Sequence, residues 1–410
     1  MKAMLSSFTF DESVSTAEYD EFVTAQPTCN LLQSSKWADI KNAWDSRRTV
    51  LRDSQGSIVA AGLVLIRPLK FGYTMWYLPH GPILDYHRSN VAEVLHVYLT
   101  KLSEIARSCK SIFIKIDPPV ALKAAPVDEF PDSYDEHALA IKDVIEAAGY
   151  QHQGFPKELH DTIQPRFDTV ILCPEQGESV ESVISKNTLK LVKKAQRRYV
   201  QVERVGIDRV PDFVHVLEMT EEKQGVRLRG VEYHERLLSV YGDDAYLYIA
   251  SLDIPYAISR SEAELAEIKK KIESLPPDSK KYVSLHEREV NLDKQIAYYR
   301  ESQKRDGDKV VLAGSMNILY GSGLAMIYSG MNRQYAKTFA QYLNHVQALR
   351  DAFDRGAHYA SMGGVSGSFN DSLFEYKKHF NPLIVEKLGE FDFPIHKLMY
   401  RALRFVLKHR

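Results

Sequence analysis

The chain has little cysteine, no long apolar run and almost no net charge, and each of these excludes a class of protein. Its 410 residues hold only three cysteines, Cys29, Cys109 and Cys173, far apart and without CxxC spacing. Such thiols suit a reducing compartment and read as small buried side chains rather than a disulfide framework. The start, Met1-Lys2-Ala3-Met4-Leu5, passes straight into polar and acidic residues, so no secretory leader is expected. No apolar run approaches the roughly 18 residues of a spanning helix. A cytoplasmic protein, with membrane contact limited to peripheral docking at the inner face, is the expectation. Lys and Arg number 53 against 54 Asp and Glu, a net charge of −1. A uniformly basic nucleic-acid binder is thereby excluded, and contact with RNA or phosphate has to come from local patches. Motifs are missing too: there is no HExxH, no GxSxG elbow and no GxxxxGK[ST] loop, and the 14 histidines are scattered. No metal site and no bound cofactor are expected.

What is present is a folded composition, 44% hydrophobic and 26% charged, long enough for two or three domains. Two strands, RRTVLRD and SIVAAGLVLI, meet at the turn Asp53-Ser54-Gln55-Gly56, and TMWYLPHGPILDY follows, broken at Gly81-Pro82. An amphipathic helix is predicted over 90–108, a buried strand over 111–117 ending on Asp117-Pro118-Pro119, and a helix over 137–148. A similar order returns after TIQPRFDTVIL (162–172): helices to Arg198 and over 210–224, strands at 245–251, 310–320 and 324–331, a helix over 336–355 and a strand at 358–364. The fold class is α/β (α+β), a duplicated unit with a hairpin start rather than a regular Rossmann alternation. A charged interruption separates two of the strands. Leu265, Ile268, Ile272 and Leu275, then Pro276-Pro277-Asp278, then Leu285, Leu292, Ile296 and Tyr299 write an antiparallel helical hairpin. It is either a plain structural pair or an arm that touches a large partner.

Three segments invite chemistry. Gly363-Gly364-Val365-Ser366-Gly367-Ser368 precedes a helix and reads as an anion cradle or a simple strand-to-helix turn. Lys186, Lys190, Lys193, Lys194 and Arg197 fall on one helical face, which suits RNA phosphates or is a solvated charged face. At the C-terminus Ile395, Leu398, Met399, Ala402, Phe405 and Val406 form an apolar stripe among Lys397, Arg401, Arg404, Lys408 and Arg410. That helix either packs on the core or presents a basic rim to anionic lipid.

Taken together, LLQSSKWADIKNAW (31–44), LPHGPILDY (78–86), FIKIDPP (113–119), TIQPR (162–166), GVRLRGVEYHERLLSVYGDDAYLYIA (225–250), MIYSGM (326–331), SLFEYKKHFNP (372–382) and EKLGEFDFPIHKLMYR (386–401) resemble the FemABX family of murein interpeptide-bridge aminoacyltransferases, especially its MurM-like members. The resemblance implies two tandem GNAT-like domains: 1–156 completed by 388–410, and 157–387 carrying a coiled-coil hairpin at 257–306. It also implies transfer of Gly, Ala or Ser from aminoacyl-tRNA to the stem-peptide amine of lipid II or of a UDP-linked muramyl pentapeptide. No acetyl-CoA loop of the Q/RxxGxG/A kind occurs, in keeping with a tRNA-borne donor. By resemblance, Lys41 and Arg229 hold the precursor diphosphate, with Trp37, Tyr233 and Tyr328 beside it. Lys377 stabilises the transition state, although the adjacent Lys378 leaves that assignment shared. Asp117 faces the cleft as a base or, preferably, as an orienting group, since an ordinary Asp is a weak base for an ammonium. His80 stands where many relatives carry Lys or Arg, which predicts a weaker, pH-dependent anion contact there. Two other readings remain: an acyl-CoA-dependent N-acyltransferase, and a non-catalytic tRNA- or lipid-binding scaffold.

Overall fold

Alternating and continuous apolar runs become two mixed sheets in the structure, a computed structural model that describes residues 7–224 and 229–408. Residues 225–228 of the GVRLRG segment, Met1 to Leu5 and Arg410 lie outside the described residues.

The first half contributes β1 (Thr9–Asp11), β2 (Asp45–Arg52), β3 (Ile58–Pro68), β4 (Thr74–Leu78), β5 (Ser111–Ile116), β6 (Ala121–Ala125) and β7 (Gln151–His152). The second contributes β8 (Phe167–Leu172), β9 (Gln201–Val205), β10 (Ala245–Asp253), β11 (Lys309–Tyr320), β12 (Gly323–Met331), β13 (Tyr359–Val365), β14 (Leu383–Lys387) and β15 (Phe391–Pro394). The helices are α1 (Thr16–Ala25), α2 (Trp37–Ile40), α3 (Val91–Ser108), α4 (Glu136–Ala147), α5 (Lys186–Arg197), α6 (Val210–Gln224), α7 (Val231–Tyr241), α8 (Ile254–Glu273), α9 (Lys280–Asp306), α10 (Ala340–Asp354), α11 (Ser372–Lys378) and α12 (Lys397–Lys408).

One sheet runs β1-β2-β3-β4-β5-β15-β7 and the other β6-β14-β8-β13-β12-β11-β10-β9. Each is antiparallel except at one pair: β4 with β5, and β12 with β13, are parallel. Each parallel pair is bridged by a long helix, α3 or α10, because parallel neighbours need a crossover. The duplicated order expected from the sequence is therefore real, and the chain is a tandem GNAT-like α/β protein.

The halves also exchange strands, which no turn signal announced. β15 inserts between β5 and β7 of the first sheet, whereas β6, from within residues 1–156, pairs with β14 at the edge of the second. The stretch 1–156 thus contains one strand that serves the other sheet. A shared core joins the two, with Val50, Leu63 and Leu65 packed in one cluster with Phe213, Leu247 and Met316.

The hairpin is α8 against α9. Asp253 and Ser279 cap their starts by accepting the N–H of Tyr256 and Tyr282 at 2.9 and 3.1 Å. Ile268, Leu292, Ile296 and Tyr299 form its buried seam, and Arg288–Glu264 and Arg300–Glu262 pair across it at 2.9 and 2.6 Å. The C-terminal helix differs from its expected packing. Met399, Tyr400 and Leu403 face inward against Met75, Tyr77, Ile112 and Phe113, so Leu398, Ala402 and Phe405 are turned outward. Among the described residues no helix is long and apolar enough to cross a membrane.

Candidate active site

Asp117 follows directly on β5, where the strand leaves its sheet into two prolines. Its Oδ1 accepts the His80 backbone N–H at 2.8 Å and its Oδ2 the Tyr77 hydroxyl at 3.2 Å. Burial, and after it the negative charge of Glu390, push the carboxyl up to about 8, against the opposing pull of the His80 N–H and Lys387. His80 Nδ1 lies 3.5 Å from the carboxylate. Yet burial, followed by the charge of Lys387, lowers the imidazole to about 3. The contact is therefore one between neutral groups near pH 7. The pH-dependent anion contact expected of His80 is not supported, because the ring is sealed from solvent.

His80, Asp117, Gln164, Arg166, Lys387 and Glu390 line a narrow cleft where the sheets meet. Lys115 spans it below, 2.5 Å from Glu390 and 2.8 Å from Asp392, while Arg166 pairs with Glu386 at 2.7 Å. Lys387 Nζ then reaches Asp168 at 3.3 Å. Asp168 also accepts the Ser361 hydroxyl at 2.9 and 3.0 Å. Burial opposes its ionisation, but Lys387, Ser361 and Lys377 outweigh that and hold it below the usual carboxylate range.

Lys377 sits on the last turn of α11 and points inward, whereas Lys378 is exposed. Of the two lysines, only Lys377 is turned into the protein. Its Nζ donates to the Gly364 carbonyl at 2.8 Å. Burial lowers the ammonium to about 8 despite the counter-charges of Asp168 and Asp371. The glycine-rich segment explains this placement. The β13–β8 register slips between Ser361 and Gly364, and Gly363 there takes φ +81°, a conformation glycine adopts freely. That bulge aims Gly364 O at Lys377 and gives the Gly363 carbonyl to Thr169 Oγ1 at 2.8 Å. GGVSGS is therefore the shelf of a buried cation and not an anion cradle.

A second group gathers near α2 and α7. Lys41 caps α2, with its Nζ 5.3 Å from the Trp37 ring. Burial, and then repulsion from Arg229, lower its pKa. Arg229 lies 5.3 Å over the Tyr233 ring, and the Tyr328 hydroxyl donates to that of Tyr233 at 3.4 Å. Two cations close enough to repel one another are an arrangement that suits a polyanion. His234, unremarked in the sequence, is fully buried edge-on to Phe213, Tyr233 and Tyr328.

Lys186, Lys190, Lys193, Lys194 and Arg197 all stand exposed along α5. The inward Thr188 hydroxyl donates to the His379 carbonyl at 2.5 Å, which sets the start of this basic face beside α11. Its far end opens into a groove of about 850 Å³ at the base of the hairpin, where Lys194, Arg197 and Arg198 meet Arg288, Lys294 and Lys337. Lys194 and Arg198 converge on one ring, 5.6 and 5.4 Å from Phe339.

Asp168, Lys387 and Glu390 were missed by sequence reasoning. Each sits in or beside a segment quoted for the family resemblance, but a lone charge in a strand has no spacing signature.

Two GNAT-like sheets sharing a cleft with a buried ammonium and a buried acid define the class of protein. The model of the FemAB family matches residues 14–408, and the chain belongs to that family. A lipid II:glycine glycyltransferase of Staphylococcus epidermidis is 27% identical over 412 residues, covering 96% of this chain and 95% of that protein. One from Staphylococcus aureus is 25% identical over 419 residues, covering 96% and 94%. The crystal structure of FemX superposes with a TM-score of 0.74 at 24% identity, covering 96% of this chain and 99% of that one. The fold of the present chain is that of FemX.

Proposed function

We propose that the chain is an aminoacyltransferase that moves a small amino acid (Gly, Ala or Ser) from aminoacyl-tRNA to the stem-peptide lysine amine of a peptidoglycan precursor, most simply lipid II. The observation that carries this reading is the line of buried charge at the interdomain cleft: Asp117 feels the charge of Lys387, Lys387 pairs with Asp168 at 3.3 Å, and Asp168 feels the inward-facing Lys377. Family membership, and relatives that are lipid II:glycine glycyltransferases, support the substrate class.

In this reading Lys41 and Arg229 hold the precursor diphosphate, with Trp37, Tyr233 and Tyr328 forming the adjacent wall. The amine enters as an ammonium. Asp117, with its affinity for protons raised by burial, takes one proton, and the free amine nitrogen attacks the ester carbonyl carbon. Lys377 offers its ammonium to the oxygen as negative charge builds there. The carbon–oxygen bond to the terminal ribose then breaks, the ribose oxygen regains a proton, and an amide and uncharged tRNA leave. No nucleotide hydrolysis is needed, because an ester is exchanged for an amide. The basic face of α5 guides the tRNA, since its start lies beside α11 and its end opens into the cationic groove.

Purified protein with lipid II and glycyl-, alanyl- or seryl-tRNA tests this, with mass spectrometry of the product. One residue added to the precursor, abolished by ribonuclease, is the expected result. Equal product with acetyl-CoA, or after ribonuclease, would overturn the tRNA donor. Normal turnover by Lys377→Ala would overturn the proposed chemistry.

A further inference from the structure

Among the described residues, the three most exposed large apolar side chains gather at one place. Phe71 is 91% exposed, Leu398 80% and Phe405 66%. The other exposed large apolar residues, 39–52% accessible, are scattered over the second half and the arm, as isolated surface residues commonly are. Phe71 tips the β3–β4 turn, closed by the Leu69 N–H donating to the Tyr73 carbonyl at 2.8 Å. Leu69 and Tyr73, on either side of it, pack in the same small cluster as Met399, Tyr400 and Leu403 of α12. The Tyr73 and His396 rings meet edge-on at 5.5 Å. The turn and the outward face of α12 are therefore neighbours. On that face Leu398, Ala402 and Phe405 follow a four- and three-residue spacing, one stripe of a helix.

Two features say what covers this face. Phe71 takes φ +61°, an uncommon conformation for a bulky residue, and it presents its ring to solvent. The charges around it are nearly all of one sign. Arg67, Lys70, Lys110, Lys397, Arg401 and Arg404 are exposed here, and residues 67–76, 107–112 and 395–408 contain no Asp or Glu. In a chain of net charge −1, that local excess is matched by an anionic surface. One exposed acid, Asp45 opposite Ile66, borders the face beside Trp44, and the six cations outweigh it. Protruding apolar tips inside a basic rim suit insertion among lipid headgroups, which a folded partner would meet with a concave apolar seat.

We propose that the β3–β4 turn and the outward face of α12 form one docking surface for an anionic bilayer, with Phe71 and Leu398 entering the lipid and the basic rim lying on the headgroups. This surface stands independently of the reaction proposed above, and it brings the first sheet to the membrane with α5 and the arm belonging to the second.

Sedimentation of the full chain with phosphatidylglycerol vesicles, against phosphatidylcholine vesicles, tests it. The wild type partitions onto the anionic vesicles and is released by salt. Phe71→Ser and Leu398→Ser, both at exposed positions that the fold does not need, each weaken partition on the order of tenfold. Lys70→Glu weakens it by at least about fivefold. No partition by the wild type, or partition unchanged in both apolar variants, would overturn the proposal. So would a wild-type dimer in sedimentation velocity that Phe71→Ser converts to monomer, because a second copy would then occupy the face.

Discussion

Asp117 and Lys377 both titrate at about 8, one pushed up and the other pulled down, each chiefly by burial. If Asp117 must be ionised to accept the ammonium proton and Lys377 protonated to meet the oxyanion, turnover follows the product of two opposed fractions. That product peaks near pH 8 and is roughly 25-fold lower two pH units to either side. Single-turnover rates with pre-bound aminoacyl-tRNA, measured from pH 6 to 10, give the profile. Two variants separate its limbs. Asp117→Asn keeps an acceptor for the His80 N–H but no base, so the acid limb is replaced by a steady rise of about tenfold per unit as free amine appears. Lys377→Arg keeps a cation that does not deprotonate in this range, so the alkaline fall near pH 8 disappears even where the rate is lower. An Asp117→Asn enzyme that retained the bell and lost less than tenfold in rate would refute the base. A Lys377→Arg enzyme still falling at pH 8 would refute the role of the ammonium.

Lys377→Ala lowers kcat by about 10²–10³ with acceptor binding retained, the usual cost of one oxyanion donor, whereas exposed Lys378→Ala leaves the rate within a factor of about two. Arg229→Ala raises the KM for the diphosphate-bearing precursor and leaves kcat nearly unchanged, as loss of uniform binding does; a fall in kcat alone would count against the diphosphate contact. Lys190→Glu with Lys194→Glu weakens tRNA binding and flattens its salt dependence, read by fluorescence anisotropy at several salt concentrations. Stability has its own signature. The native state holds the Asp117 proton more tightly than the unfolded chain, with the pKa raised from 3.8 to about 8, so this residue's contribution is fully present below pH 4 and is lost as pH rises through 8. Asp117→Asn therefore raises Tm relative to wild type at pH 9 and changes it little at pH 4. Lys115→Met strands two buried carboxylates and costs about 3–5 kcal/mol in denaturant titration.

The elements that the sequence made legible are those with strong local patterns. The long amphipathic α3, the hairpin seam, the apolar β10 and the paired β11 and β12 all stand within a few residues of their expected places. The strands that escaped are short and polar. Ala121–Ala125 reads ALKAA, Gln201–Val205 reads QVERV and Leu383–Lys387 reads LIVEK, and none alternates long enough to separate strand from loop. Their pairing comes from tertiary context, which commonly overrides β propensity. The outward turn of α12 was obscured for a related reason. Its apolar residues cover more than one face, and periodicity alone does not say which stripe meets the core.

The candidate site was legible in part. Asp117, Lys377, Lys41 and Arg229 stand in segments that carry the family resemblance, whereas Asp168, Lys387 and Glu390 acquire meaning only from long-range strand pairing and from the crossing between the sheets. The chain leaves the second sheet on β14 and joins the first on β15, and the five residues from Lys387 to Phe391 carry Lys387 and Glu390 across the gap. Lys387 then reaches Asp168 on β8, while Glu390 reaches Lys115 on β5 and raises the neighbouring Asp117. The Lys387–Asp168 pair lies within the second sheet, whereas Glu390, in the crossing itself, reaches its partner on the first. Burial raises Asp117 first and Glu390 of the crossing next, so a substitution that loosens the crossing should return Asp117 toward an ordinary carboxyl and move the acid limb of the rate profile to lower pH. Glu390→Gln makes that case directly: it removes a charge that raises Asp117 while keeping a side chain able to bond Lys115, and an acid limb left in its wild-type place would show that the crossing segment does not tune the site.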